Sequence, residues 1–283
     1  MIRIITDSGA DITQELAKEL DVDVVYLSVH FKDGDIDYRT EEEYREFYHK
    51  MGESRDLPKT SAPSPGAFQT RFEEALAAGD EVVCICMSSG LSSTYSIAKS
   101  VADEMGDDRI HVIDSHQLTM SQQIVIDRAC KMRDQGKTAQ EIEDWILENR
   151  DRPVLFGVLD SLYHLSKSGR VSSVAAAMGT ILRIKPLLML EKAQGIVPAK
   201  VRGRKAGLDW TMKKFEEEGY DESFPVYVVF SKSRELAESF YKTFVDRYNL
   251  DNVEIKSIGP ITGTHVGPDA VGLVYVRPWS FFN

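Results

Sequence analysis

The stretch Glu81-Val82-Val83-Cys84-Ile85-Cys86-Met87-Ser88-Ser89-Gly90-Leu91-Ser92-Ser93-Thr94-Tyr95 sets the fold class. Its first six residues form a short apolar run, the pattern of a buried strand. After it, Tyr95, Ala98, Val101, Ala102 and Met105 recur at helical spacing. A strand that ends in small hydroxyl residues and opens a helix presents free backbone N–H groups and side-chain donors at the positive end of a helix dipole. The expectation is a seat for a carboxylate or a phosphate.

The same alternation repeats on both sides of this stretch. Ile2–Thr6 is an apolar run ending in Asp7-Ser8, followed by Ile12, Leu16 and Leu20 on one helical face. Val22–Val29 reads as one strand and Glu41–Met51 as an acidic helix. Ser64-Pro65 caps a helix carrying Phe68, Phe72 and Leu76. Arg109–Ile113 runs into Asp114-Ser115, and a long helix is expected over Thr119–Gln135. Strand–helix alternation of this kind means a mainly parallel sheet flanked by helices, with ligands beyond the carboxyl ends of its strands.

Near residue 150 the pattern changes. Thr138 and Glu141 form a capping box for a helix ending near Arg150, and Asp151-Arg152-Pro153 breaks the chain before a strand at Val154–Val158. Helices are expected near Ser161–Ser168 and Ser172–Leu182. Lys185–Leu190 and Ile196–Val201 flank Gln194-Gly195 as a hairpin. Helix Ala206–Glu218, strand Val226–Phe230, helix Ser233–Tyr248 and strands Val253–Ile258 and Val271–Val276 complete the reading. The expected architecture is two α/β domains, residues 1–150 and 151–283. The first has a mainly parallel sheet and the second a mixed one.

At 283 residues, with 42% hydrophobic and 28% charged side chains, the composition is that of a globular protein. A net charge of −11 argues against nucleic acid as the main partner, because a phosphate backbone needs a basic face. Cys84 and Cys86 alternate on one strand and share a face, and with Cys130 they read as small buried hydrophobes. The N-terminus has no basic-then-apolar leader pattern. No apolar run approaches the roughly 18 residues of a membrane span, so a cytoplasmic setting is the default expectation.

Two further clusters resemble the serine loop. Thr60-Ser61-Ala62-Pro63-Ser64 is poised at a helix start, and Gly263-Thr264-His265-Val266-Gly267-Pro268 reads as a glycine-bracketed loop around one of six histidines. Singly, each has a plainer explanation as helix caps or turns. In order and spacing they resemble the DegV family. Shared features are Thr6-Asp7-Ser8, Thr60-Ser61-x-Pro63, Ser88-Ser89-Gly90-Leu91-Ser92-x-Thr94-Tyr95 and Asp114-Ser115. They continue through Gly169-Arg170-Val171-Ser172, Lys185-Pro186-Leu187, Arg202 and Gly263-Thr264-His265-x-Gly267-Pro268.

The resemblance covers essentially the whole chain. It implies a long-chain (C14–C18) fatty acid in a tunnel between two α/β domains, no other cofactor, no metal and no catalysis by this chain. It further implies a separate fatty acid kinase subunit as the partner that phosphorylates the carboxylate. Carried over by motif, Thr60, Ser92 and His265 would bind the fatty-acid carboxyl. Ser61, Gly90, Ser93, Thr94, Thr264 and Gly267 would support their loops, and Arg170 and Arg202 would face the kinase or the phosphoryl group. Val174–Leu182 and the helix starting near Thr119 are candidates for lining the tail.

The chain departs from the family pattern at Ser168, where a first glycine is usual before Gly169-Arg170, at Asp269 after Gly267-Pro268, at Val266 and at Ala62. Asp269 places a negative charge close in sequence to His265, which could raise the imidazole pKa or point to solvent. The sequence leaves two other readings open. One is a serine hydrolase using Ser92 or Ser89 with His265, although no Gly-x-Ser-x-Gly elbow is present. The other is a lipid-binding transport or signalling module without a kinase. A nucleotide phosphotransferase is disfavoured because no phosphate-binding Gly-x-x-x-x-Gly-Lys loop occurs. Lys167, Arg170, Arg183, Lys185, Lys200, Arg202, Arg204 and Lys205 make the middle of the chain basic, as a docking patch or a solvated face.

Overall fold

The computed structural model describes residues 1–171 and 184–282. Strands β1 (Ile2–Asp7), β2 (Val22–Val25), β6 (Glu81–Cys86) and β7 (Ile110–Asp114) pair in parallel in the order β2-β1-β6-β7. Strand alternation sorts their side chains onto two faces. Ile4, Val83, Ile85 and Ile113 meet Val125, Ile126 and Ala129 of α5 (Thr119–Asp134) and Ile142 and Ile146 of α6 (Ala139–Asn149), with Leu16 and Leu20 of α1 (Gln14–Leu20) packed at the edge. Ile5, Val82, Cys84, Cys86 and Val112 meet Phe68 and Phe72 of α3 (Pro65–Ala77) and Ala98 and Val101 of α4 (Thr94–Met105). Cys84 and Cys86 are buried free thiols on one face, as their spacing requires. The capping box of Thr138 and Glu141 and the cap at Ser64-Pro65 are both formed.

One expected strand divides in two. Val22–Val29 is broken at Tyr26-Leu27, where the Leu27 N–H donates to Ser8 Oγ at 2.9 Å. The chain then leaves the parallel sheet as β3 (Ser28–Phe31). This strand pairs antiparallel with β4 (Gly34–Ile36) and β5 (Lys59–Ser61) in a three-stranded sheet covered by α2 (Glu41–Glu53). A strand-like run without an internal turn residue carries no mark of which sheet each half joins, so sequence periodicity could not find this small sheet.

The second sheet is mixed, in the order β10-β9-β8-β13-β11-β12. Its strands are β8 (Pro153–Val158), β9 (Ile184–Glu191), β10 (Gln194–Arg202), β11 (Val226–Phe230), β12 (Val253–Ser257) and β13 (Val271–Val276). Only β11 and β12 are parallel neighbours in it. The hairpin turn lies at Lys192-Ala193 rather than Gln194-Gly195. Both turn residues have positive φ, 46° and 65°, so they take the twist that glycine usually supplies. One face of this sheet packs on α8 (Arg204–Glu218) and α9 (Arg234–Tyr248) through Phe156, Phe215, Phe240 and Phe244. The other face, with Leu155, Val229 and Val274, packs on Met120 and Ile124 of α5. Helix α5 is thus covered on two sides, which is why Ser121, Gln122 and Gln123 are buried beside its apolar residues. The expected helix at Ser161–Ser168 is α7 (Tyr163–Ser168), while the one expected over Ser172–Leu182 lies outside the described residues. No described helix is long and apolar enough to cross a membrane.

Candidate functional site

The expected glycine-bracketed loop is helical. α10 (Pro260–Val266) starts on Pro260, a residue suited to a first helical turn, and ends at Gly267 with φ 77°. Thr264 spends its hydroxyl on the Pro260 carbonyl at 2.8 Å, so its role is within the helix. His265 and Thr262, three residues apart, share the face turned to a cavity that both halves of the chain line. The cavity holds about 1050 Å³ of space unfilled by protein atoms, its open mouth included. Apolar side chains dominate its walls, among them Leu27, Met87 and Leu118 from the first half and Leu155, Met189 and Ile258 from the second. Thr60, Ser92, Ser93 and Arg170 also line it, so Thr60, Ser92 and His265 meet in one cavity although 205 residues separate the first from the last. Thr119 and Leu118, at the start of α5, belong to the wall, whereas Val174–Leu182 lies outside the described residues.

Thr60 Oγ1 and His265 Nε2 are 2.9 Å apart. His265 Nδ1 is shielded from solvent and has no partner among the described residues, and the same holds for Thr262 Oγ1. Burial, and secondarily the nearby Arg170 guanidinium, push the His265 pKa down to about 4, so the imidazole is neutral at pH 7. Asp269 is not among the causes, so the opposite shift considered from sequence does not occur. With Nδ1 protonated, Nε2 accepts the Thr60 hydroxyl hydrogen and Nδ1–H has no acceptor among the described residues. In the other tautomer Nε2–H donates to Thr60 and Nδ1 offers a lone pair. Either way a neutral ring retains one unused hydrogen-bonding atom. An unsatisfied buried polar atom costs about 1–3 kcal/mol, a penalty a polar ligand removes.

The serine loop departs from its sequence reading. The amides of Met87 and Ser89 donate to Asp7 Oδ2 (2.7 Å) and Asp114 Oδ1 (3.2 Å), and Ser88 N–H donates to the Gln117 carbonyl. Gly90 N–H donates to Ser88 Oγ, while Leu91 and Ser92 N–H both donate to the Ser88 carbonyl. The backbone donors over residues 87–92 are therefore used to hold the loop, and the polarity offered to the cavity comes from side chains. Asp7 and Asp114 bond loop amides, as their places at strand ends suggest. Ser92 Oγ lies 2.8 Å from Thr94 Oγ1 and accepts the Thr94 N–H. Because Thr94 is fully buried, it can donate to Ser92 and leave the Ser92 O–H free for a ligand. Ser92 Oγ is bonded to Thr94 and His265 Nε2 to Thr60, and no hydrogen bond joins Ser92 to His265 among the described residues.

Arg170 is exposed and lines the cavity, which puts it at the mouth. Its Nη1 donates to the Ser168 carbonyl at 2.6 Å. Arg202 ends β10 in solvent, away from the cavity lining. Ser61 bonds His30 on the outer face of its sheet. Gly90 meets the hairpin tip, where Ser88 Oγ donates to the Ala193 carbonyl at 2.6 Å. Among the described residues no group of His, Cys, Asp and Glu is placed to hold a metal ion.

Comparison with known proteins gives the family. The DegV family model matches residues 1–278. The chain belongs to the DegV family. A DegV domain-containing protein of Staphylococcus aureus is 30% identical over 279 residues, 97% of each chain. A DegV lipid-binding protein of Thermotoga maritima superposes with a TM-score of 0.85 at 28% identity, covering 98% of this chain and 99% of that one. A stearic acid-binding protein of Eubacterium ventriosum superposes at 0.84 and 27% identity, covering 98% of both. The DegV match extends over both sheets, in agreement with motifs spread from Thr6 to Pro268.

Sequence reasoning missed Thr262, because a threonine inside a helix carries no local sign of facing a cavity. It also missed the buried pair behind the wall. Thr119 Oγ1 donates to Asp11 Oδ2 at 2.5 Å. Burial raises Asp11 to about 7 and Asp7 to about 6, against hydrogen bonds that lower both. A raised carboxyl pKa means the folded state holds the proton more tightly than the unfolded chain. The associated stability is fully present below about pH 3.8 and is lost as pH rises through 6 to 7. His265 acts in the opposite direction: its contribution is present above 6.5 and is lost as pH falls toward 4. Asp11→Asn is therefore expected to flatten the decline in melting temperature between about pH 4 and 7. An unchanged pH slope in thermal melts would contradict the raised Asp11 pKa.

Proposed function

We propose that this protein binds a long-chain fatty acid in the cavity, with the tail against the apolar walls and the carboxyl at Thr60, Ser92 and His265. The observation that carries this reading is the shielded, unpartnered Nδ1 of His265 inside a predominantly apolar cavity. A single polar ligand group attached to a long apolar body satisfies both features at once. Thr262 Oγ1, on the same helix face, adds a further donor. Each buried methylene contributes about 0.8 kcal/mol before the costs of association, so the tail dominates affinity and the head sets orientation. The lipid-binding and stearic acid-binding relatives support the same ligand class. The two sheets support a division into domains 1–150 and 151–283, with the cavity between them.

The role is that of a carrier without catalysis at the cavity, in the cytoplasm, presenting the carboxyl to a separate fatty acid kinase subunit. Arg170 supports that step: a cation at the cavity mouth, close enough to depress the His265 pKa, suits a carboxylate or an acyl-phosphate. Arg202, exposed at the end of β10, is the second residue for that face. Native mass spectrometry of protein expressed in bacteria is expected to show a co-purified C14–C18 fatty acid. A ligand-free mass, even after oleate is added, would overturn the binding assignment. The kinase role is tested by acyl-phosphate formation that requires this protein and falls in Arg170→Ala. Formation at an undiminished rate in that variant removes Arg170 from the step.

A further inference from the structure

The three-stranded sheet carries a second arrangement of reactive side chains, on the face away from the cavity. Val29 and Thr60 are cross-strand partners facing inward, Val29 fully buried and Thr60 at the cavity. Their neighbours therefore point outward: Ser28 and His30 on β3, Lys59 and Ser61 on β5. His30 lies directly opposite Asp35 across the β3–β4 hairpin and opposite Lys59 across β3–β5. His30 Nδ1 is 2.6 Å from Asp35 Oδ1, and His30 Nε2 is 2.8 Å from Ser61 Oγ. A carboxylate can only accept a hydrogen bond from the ring, so Asp35 places the proton on Nδ1. Nε2 is then the acceptor, and Ser61 O–H donates to it.

These are the roles and contacts of an acid–base–nucleophile triad, which is defined by geometry and not by order in the chain. We infer that Ser61, with His30 as general base and Asp35 as the group that orients it, forms a second reactive site that takes the acyl group of small, solvent-borne esters. The site is open: His30 is 34% and Asp35 67% exposed, so the substrate is short and soluble and not a long-chain lipid. In the first step Ser61 Oγ bonds to the acyl carbon and its proton passes to His30 Nε2. The bond to the leaving oxygen then breaks, and that oxygen takes the proton from His30 and departs as the alcohol. Water next adds to the acyl-serine, giving a proton to His30. The bond to Oγ breaks, Ser61 recovers the proton, and the carboxylic acid leaves. Lys59, on the same face beside His30, supplies positive charge near the oxygen that becomes negative.

The site shares no residue with the cavity lining, so its test is independent of fatty-acid binding. The intact protein is treated with a fluorophosphonate, and the modified peptide is located by mass spectrometry. Label on Ser61 is expected, with His30→Ala slowing its formation by about 100-fold, the lower end of what a general base contributes. Asp35→Asn is expected to slow labelling less, and Ser61→Ala to remove turnover of p-nitrophenyl acetate above that of free imidazole. His30→Ala and Asp35→Asn should retain fatty-acid binding and the wild-type circular dichroism, since both side chains lie on the outer face. No label at Ser61, or a labelling rate indifferent to His30→Ala, would overturn the inference and leave the three residues as a hydrogen-bonded clasp on the hairpin.

Discussion

Replacing His265 with alanine is expected to weaken binding of a C16 fatty acid by about 10- to 100-fold, measured by calorimetric titration at pH 7. The size follows from one hydrogen bond to a charged group, roughly 1.5–3 kcal/mol, with each 1.4 kcal/mol worth a factor of ten. The imidazole is neutral at pH 7, because burial and Arg170 both oppose its protonation. It therefore serves as a hydrogen-bonding group and not as a fixed counter-ion. Thr60→Val should produce a smaller loss: it removes the partner that holds the ring at 2.9 Å while leaving the ring itself in place. Thr262→Val is the corresponding check on the unpartnered hydroxyl one helical turn earlier. An affinity unchanged in His265→Ala would remove the histidine from the headgroup site.

The second large effect concerns Gly90. A Cβ at this position would collide with the Ala193 carbonyl oxygen and the Gln194 side chain. The first obstacle is backbone, held where Ser88 Oγ donates to that same carbonyl, so it cannot simply turn aside. Gly90→Val is expected to destabilise the protein by at least the ~1–3 kcal/mol typical of overpacking. For a chain of this size that is a fall in melting temperature of roughly 2–4 °C per kcal/mol. It should also weaken fatty-acid binding, because Ser92 is carried by the loop that the hairpin tip would displace. Gly66→Ala is the control: nothing lies within 4 Å of its added Cβ in the first turn of α3, so its melting temperature should not fall. Equal melting temperatures for Gly90→Val and the wild type would show that the hairpin tip is free to move.

Much of the molecule was legible in one dimension because its causes are local. The strand–helix alternation, the capping box of Thr138 and Glu141, the shared face of Cys84 and Cys86 and the change of pattern near residue 150 all depend on neighbours within a few positions. Where glycine would normally mark a turn, the reading slipped by two residues: Lys192-Ala193 turns the hairpin, and Gly195 is instead close to Val171 across the fold. The break at Tyr26-Leu27 was equally hidden, since both halves read as strand and the acceptor of the Leu27 N–H at the break, Ser8 Oγ, comes from a residue distant in sequence.

The family motifs pointed to Thr60, Ser92 and His265 as residues, but spacing could not say what each would bond. Linear order correctly announced polar side chains at a strand end. It overstated the backbone, because the acceptors that use up the serine-loop amides, Asp7 and Asp114, arrive from other strands of the sheet. The pairing of Thr60 with His265, the unpartnered Thr262 and the outward Ser61–His30–Asp35 contact exist only once β3, β5 and α10 are brought together. A hydrogen bond depends on distance and direction in space, and a chain segment specifies those only for its own near neighbours.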